Sequence, residues 1–255
     1  MRYLLTLRYD GTRYHGWQVQ QNALAVQPVV QDALERILQQ RPGVSGCSRT
    51  DSGVHAAMYC CHFDCDRPLE PDRLTRALNF ALPKDICVLS SRQVPDDFHA
   101  RYSCTGKEYV YQFLNAPSRD PFLEAYSIHV HTTMDLDRLN KAAAGFLGRH
   151  DFTSFCAARA KEGSPTRTVR RSMLERRGHL VTFTVEADGF LYNMVRIMAG
   201  TLLQVAFGRF SPEDIEPILA ARSRAAAGPT APAKGLFLNR VFYDDLPDFE
   251  VKAHV

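Results

Sequence analysis

The run Gly106-Lys107-Glu108-Tyr109-Val110-Tyr111-Gln112-Phe113-Leu114 divides the chain into two halves. Tyr109, Tyr111 and Phe113 alternate with Val110, Gln112 and Leu114, and a period of two puts each set on one face of a strand. Upstream, Leu5, Leu7 and Tyr9 alternate in a first strand over residues 2–9. Val30, Ala33, Leu34, Ile37 and Leu38 then recur at helical spacing after Gln27. A strand over residues 54–63 and a helix opened by Pro71, with Leu74, Ala77, Leu78 and Ala81 inward, come next. Ile86 and Val88 begin another strand.

Downstream of the dividing run, Leu139, Ala142, Ala143, Phe146 and Leu147 define a helical face that Gly148 is placed to end. A hairpin spans residues 168–186, with its turn at Arg177-Gly178. An apolar helix over 190–207 stops at Gly208. Ser211-Pro212-Glu213-Asp214 has the signature of a helix start, with Ser as N-cap, Pro at N1 and an acid at N3. Residues 235–243 form a last strand.

No long Val/Ile run of a parallel sheet is present. The pattern predicts an α+β fold with a mostly antiparallel sheet and helices on one face, explained by a split βαβ unit used twice. The expected divisions are residues 1–105, 106–245 and a tail, 246–255.

With 255 residues, 45% hydrophobic and 23% charged, the chain is long enough to bury a core without disulfides or metal. Its seven cysteines are an odd number set within apolar strand patterns, as expected in a reducing compartment. Cys61, His62 and Cys65 lack a second ligand pair, so no metal is expected. The chain opens directly into a strand and has no membrane-length apolar run, so it reads as cytoplasmic.

Chemistry concentrates in Ser48-Arg49-Thr50-Asp51-Ser52-Gly53-Val54-His55-Ala56, a polar loop feeding a strand. Such loops display reactive groups on a rigid support. Asp51 suits a nucleophile, an acid/base or a metal ligand, with Arg49 and His55 near enough to tune it. A plain Asx turn before Gly53 is the other reading. Residues 159–177 carry Arg159, Lys161, Arg167, Arg170, Arg171, Arg176 and Arg177 against only Glu162 and Glu175. That suits phosphate contacts, or else a solvated surface. Arg196 sits in an apolar helical pattern with no acid within four residues. It either snorkels to water or meets an acid from elsewhere in the chain, and Asp51 is the candidate.

Six segments in order resemble the tRNA pseudouridine synthase A (TruA) family. They are Tyr9-Asp10-Gly11-Thr12 with His15-Gly16-Trp17-Gln18; Arg49 through Ala56; Phe98-His99-Ala100-Arg101 with Lys107-Glu108-Tyr109-Val110-Tyr111; Asp151-Phe152-Thr153-Ser154-Phe155; Gly189 through Arg196; and Ala227-Gly228-Pro229-Thr230-Ala231-Pro232. Ser48 and Ser52 stand where the family pattern has glycine and alanine; both are compact and remove no functional group.

The resemblance implies two ferredoxin-like halves around a central cleft and isomerisation of uridine in the tRNA anticodon arm, without a cofactor. Asp51 would be the catalytic carboxylate, Arg196 its ion-pair partner and Tyr109 the ring stacked on uracil, where residues alone would favour core packing. Arg49 would fill the space of an extruded nucleotide or hold its phosphate. Tyr111 would line or support the pocket. Arg13, Arg101, Arg159, Lys161, Arg167 and Arg170 would meet tRNA. A homodimer is also implied.

Two other functions fit parts of the pattern. A non-catalytic RNA-binding module leaves the acidic loop without a purpose. A subtilisin-like hydrolase, suggested by Asp51-Ser52-Gly53, would need a distant serine elbow and a second histidine motif, and neither occurs. Trp17 is expected to anchor the first loop and His55 to order the Asp51 loop.

Overall fold

The computed structural model describes residues 1–157 and 164–244. Arg159, Lys161 and the tail 246–255 lie outside the described residues. The chain forms two compact units, one of Met1–Thr105 with the chain from Phe237 onward, the other of Gly106–Leu236. The described residues are α+β, and the strand ladders of each unit are mostly antiparallel.

The first unit runs β1 (Arg2–Tyr9), α1 (Val26–Leu38), β2 (Val44–Gly46), β3 (His55–Asp64), α2 (Pro71–Ala81) and β4 (Ile86–Val94). β1 lies between β4 and β3 and is antiparallel to both; Leu5 faces Ser91 on one side and Cys61 on the other. β2 pairs antiparallel with β3. β1 is buried almost throughout because it is central, with Tyr3, Leu5, Leu7 and Tyr9 on one face and Leu4 and Thr6 buried on the other. α1 buries Val26, Val30, Ala33 and Leu34, spaced for one stripe of a 3.6-residue helix. α2 begins at Pro71, with the Glu70 carboxylate accepting from the Asp72 and Arg73 amides at 3.1 and 2.5 Å. That satisfies two of the four donors a helix start leaves open.

The second unit contains β5 (Gly106–Leu114), β6 (Ile128–His129), α3 (Leu136–Ala144), β7 (Gly148–Asp151), β8 (Thr166–Arg177), β9 (Leu180–Ala187), α4 (Met194–Ala206) and α5 (Ile215–Ala221). The strand order is β5-β9-β8-β7, antiparallel throughout, with β6 added parallel to β5. The hairpin turn falls where expected, with Gly178 at φ +58. β10 (Leu236–Phe242) follows α5 and pairs parallel with β3 through Phe237–His55 and Leu238–Ala56. This pairing, which periodicity cannot show, counts the last strand with the first unit and not with the expected range 106–245.

Two helix boundaries differ from expectation. α3 ends at Ala144 with Gly145 as its cap, while Gly148, at φ +98, opens β7; Phe146 stays fully buried because the turn still points it inward. α4 starts at Met194 and not at Phe190, because Asn193 is left-handed at φ +60 and cannot continue a helix. The Ser211 capping box is present, but its first turn is a 3-10 turn, Pro212–Asp214, ahead of α5.

Candidate active site

Asp51 sits on a loop tied down from several sides. The Thr50 carbonyl accepts from the Trp17 amide at 3.3 Å, and the Thr50 hydroxyl bonds that of Tyr9 at 2.8 Å. The Gly53 amide donates to the Tyr14 carbonyl at 3.0 Å, and the Tyr59 hydroxyl donates to the Ser48 carbonyl. Trp17 stacks on Tyr59 with centroids 4.1 Å apart and is buried, so the sole tryptophan anchors this region.

Two glycines permit the approach. A Cβ on Gly11 would lie 2.0 Å from the Val54 carbonyl oxygen, and one on Gly16, at φ +86, would lie 2.3 Å from that of Thr50. Any side chain there would push the loop away.

Buried His55 completes the brace. Its Nδ1 lies 3.0 Å from the Gly11 amide and 3.2 Å from Asp10 Oδ1. Asp10 Oδ1 already accepts from the Thr12 amide and hydroxyl at 2.9 and 2.6 Å. We therefore assign the Gly11 N–H as the donor to Nδ1, with the ring proton on Nε2. His55 also stacks on Phe237 at 4.6 Å, so the last strand covers the foot of the loop. Within this brace Asp51 remains half-buried and Arg49 exposed. The Asp51 carbonyl accepts from the Val54 amide at 3.2 Å, so the tight turn exists as backbone geometry.

In the second unit, β5 carries both expected tyrosines on one face. Tyr109 is 7% exposed, with the Phe190 ring edge-on at 5.0 Å. Tyr111 is fully buried, and its hydroxyl donates to the Pro232 carbonyl at 2.6 Å. Burial raises its pKa, so it stays a phenol at any physiological pH. Its place is beneath the surface, bracing the 227–232 turn.

Arg196 lies nearer the helix start than the expected range 190–207 places it. It is the third residue of α4 and half-buried. Its Nε donates to the Ala231 carbonyl at 2.8 Å and its Nη1 to Asn193 Oδ1 at 2.9 Å. The Ala231 amide returns a bond to the Arg196 carbonyl at 3.0 Å. Sequence reasoning missed these partners because one is left-handed and the other 35 positions away. α4 has no acid in its first turn, so the guanidinium adds to the positive end of the helix dipole. An anion is favoured there.

The remaining candidates scatter. Exposed Arg13 pairs with Asp85 at 3.5 Å, and the Arg101 guanidinium lies 5.7 Å from the Tyr102 ring centre. Arg167 folds back on the carbonyls of Ser164 and Thr166 at 2.7 and 2.6 Å. Arg170 is 3.8 Å from Glu186, and Arg171 is 3.3 Å from Glu108. The described part of the basic segment is thus partly neutralised by acids of neighbouring strands. Among the described residues no cluster of His, Cys, Asp and Glu could hold a metal ion. Among them, too, no helix is long and apolar enough to cross a membrane.

In the first unit a braced loop presents one carboxylate; in the second, taken by itself, a helix start presents a cation. Comparison with known proteins supplies the family. The family model described as tRNA pseudouridine synthase matches residues 6–103 and 142–244. The tRNA pseudouridine synthase A of Ruminiclostridium cellulolyticum is 43% identical over 240 residues, 94% of this chain and 98% of that one. The tRNA pseudouridine synthase A of Halalkalibacterium halodurans is 45% identical over 237 residues, 92% and 90% of the two chains. The chain belongs to the tRNA pseudouridine synthase A family and is an isomerase.

Proposed function

We propose that this chain isomerises uridine to pseudouridine in the anticodon arm of folded tRNA, with Asp51 as the catalytic carboxylate. In that reaction the N-glycosidic bond breaks and uracil turns in place. A bond forms from carbon five to the sugar, a proton leaves carbon five, and one is taken up at the former glycosidic nitrogen. No oxidant, group donor or cofactor enters the balance. The observation that carries the reading is the brace around Asp51, which leaves a half-buried carboxylate on a loop with little freedom. Preorganised charge is the means by which such sites act.

Arg196 pairs with Asp51 in this account and keeps it ionised. The absence of an acid in the first turn of α4 supports that pairing. Tyr109 stacks on the uracil, with Phe190 fixing its ring from the side, and Tyr111 holds the wall behind it. Arg49, exposed beside Asp51, takes the place of the extruded nucleotide. Arg13, Arg101, Arg159, Lys161, Arg167 and Arg170 contact phosphate. The enzyme works as a cytoplasmic homodimer. The fold is read as two ferredoxin-like halves; in the first, β1-α1-β2-β3-α2-β4 with β3 antiparallel to both β1 and β2 is a split βαβ arrangement, which supports that reading.

Release of tritium from tRNA labelled at uracil carbon five tests the reading. Asp51→Ala and Asp51→Asn should lose release while retaining tRNA on a filter. Unchanged release in both variants would assign the chemistry elsewhere, and absence of release by the wild-type protein would remove the activity.

A further inference from the structure

The helix layer of the first unit holds a groove of about 620 Å³ that no part of the proposed mechanism uses. It lies between α1 and α2 and is lined by Arg36, Ile37, Arg73, Arg76, Ala77 and Phe80. Arg73, Arg76, Ala77 and Phe80 fall at i, i+3, i+4 and i+7, one stripe of α2. The helix buries a different stripe, Leu74 and Leu78. Phe80 is 95% exposed.

Positive charge dominates this groove: among the described residues, Asp72 of α2 is exposed and forms no ion pair with its arginines. Among the described residues none of the three guanidinium groups enters an ion pair. The acids of α1 are taken: Asp32 and Glu35 are both held by Arg41, at 2.5 and 2.7 Å. Glu70 is turned onto the amides at the start of α2. The groove therefore offers three planar cations, suited to bidentate phosphate contacts, around one bare aromatic ring.

We infer that this groove is a second RNA contact, in which the arginines hold phosphates and Phe80 stacks on an unpaired base. Aromatic rings between cations are how proteins take single-stranded nucleic acid, and each stacked base strengthens binding. An acidic peptide would use the arginines and leave Phe80 in water. A second copy of the chain, meeting this face through a two-fold axis, would set arginine against arginine. An RNA strand uses both kinds of group at once along its whole length. The inference rests on the tRNA reading above and adds to it a grip made by helices, apart from the loop of Asp51.

Phe80→Trp supplies a direct probe, because the natural Trp17 is buried and stacked. Emission of this variant should be quenched by tRNA while that of the wild-type protein changes little. Arg73→Ala/Arg76→Ala should weaken tRNA binding about tenfold near physiological salt and lower the salt slope by about 2. Turnover at saturating tRNA should stay at the wild-type level. Arg73, Arg76 and Phe80 are all exposed, so thermal melting should be unaltered. Three outcomes would overturn the inference: unchanged affinity and slope in the double variant, with no quenching of the Phe80→Trp protein; quenching by polyglutamate as strong as by tRNA; or loss of self-association with full RNA affinity. A wild-type protein that releases no tritium would instead sink the functional reading, whatever the groove binds.

Discussion

The two charges proposed to share the site are held in opposite ways. Asp51 rides on a loop whose backbone is fixed by Trp17, Tyr14, Tyr59 and Tyr9, and against which Gly11 and Gly16 close. Those ties run through the loop backbone, the Thr50 hydroxyl and the side chains of its neighbours. Arg196 is held by its side chain, through the Ala231 carbonyl and Asn193. The contrast has a consequence for mutation. At position 51 the named backbone ties survive loss of the carboxylate, whereas at position 196 a truncation removes a charge and orphans two acceptors.

The largest effect should come from Asp51→Asn. It should lower isomerisation by about 10³-fold or more, with the melting temperature held within a few degrees. Arg196→Met should be nearly as severe for turnover, about 10²-fold. It should also cost about 1–3 kcal/mol in denaturant unfolding, since the Ala231 carbonyl and Asn193 amide lose a charged donor. A variant with lost turnover and unaltered stability would remove the distinction between the two positions.

Gly11→Ala reverses the balance. The added methyl would need the space of the Val54 carbonyl, so about 3 kcal/mol of stability should go and turnover should fall as the loop shifts. If melting is unaffected, the brace is not what fixes Asp51. Tyr59→Phe removes only the hydroxyl that donates to Ser48 and should cost about 1 kcal/mol in denaturant unfolding.

A further effect concerns pH and lies outside the brace. His62 accepts from the Ala100 amide at 3.1 Å through Nδ1. Burial first, then the Arg2 charge, lowers its pKa from 6.5 to about 4. The unfolded chain therefore binds more protons between these values, and stability contributed by His62 falls as pH drops from about 6.5 to about 4. Melting at pH 4.5 and 7.5 should show a larger loss for the wild type than for His62→Asn. An equal loss would place the acid sensitivity elsewhere.

Much of this was legible in the chain because it depends on near neighbours. The alternation of Tyr109, Tyr111 and Phe113, the Pro71 helix start and the hairpin at Gly178 all follow from local period and turn chemistry. The Asp51 loop was also legible as a motif. Its brace was not, since Tyr9, Tyr14, Trp17 and Tyr59 reach it only through the pairing of β1 with β3 and the intervening loop. The parallel pairing of β10 with β3 was not legible, because register with His55 and Ala56 leaves no trace in its own sequence. The start of α4 was misplaced because one left-handed asparagine overrides the apolar pattern of Phe190, Leu191 and Tyr192 before it. The described part of the basic segment looked free because its acids, Glu108 and Glu186, lie on other strands.

A double-mutant cycle on initial rates of tritium release addresses the pairing of Asp51 with Arg196 most directly, using Asp51→Asn, Arg196→Met and the double variant. If the two charges act as one unit, the double variant should be no slower than the worse single variant, because each single loss already disables the other. Losses that multiply, so that the double variant falls by the product of the two single effects, would show the carboxylate and the guanidinium working independently and would contradict the account.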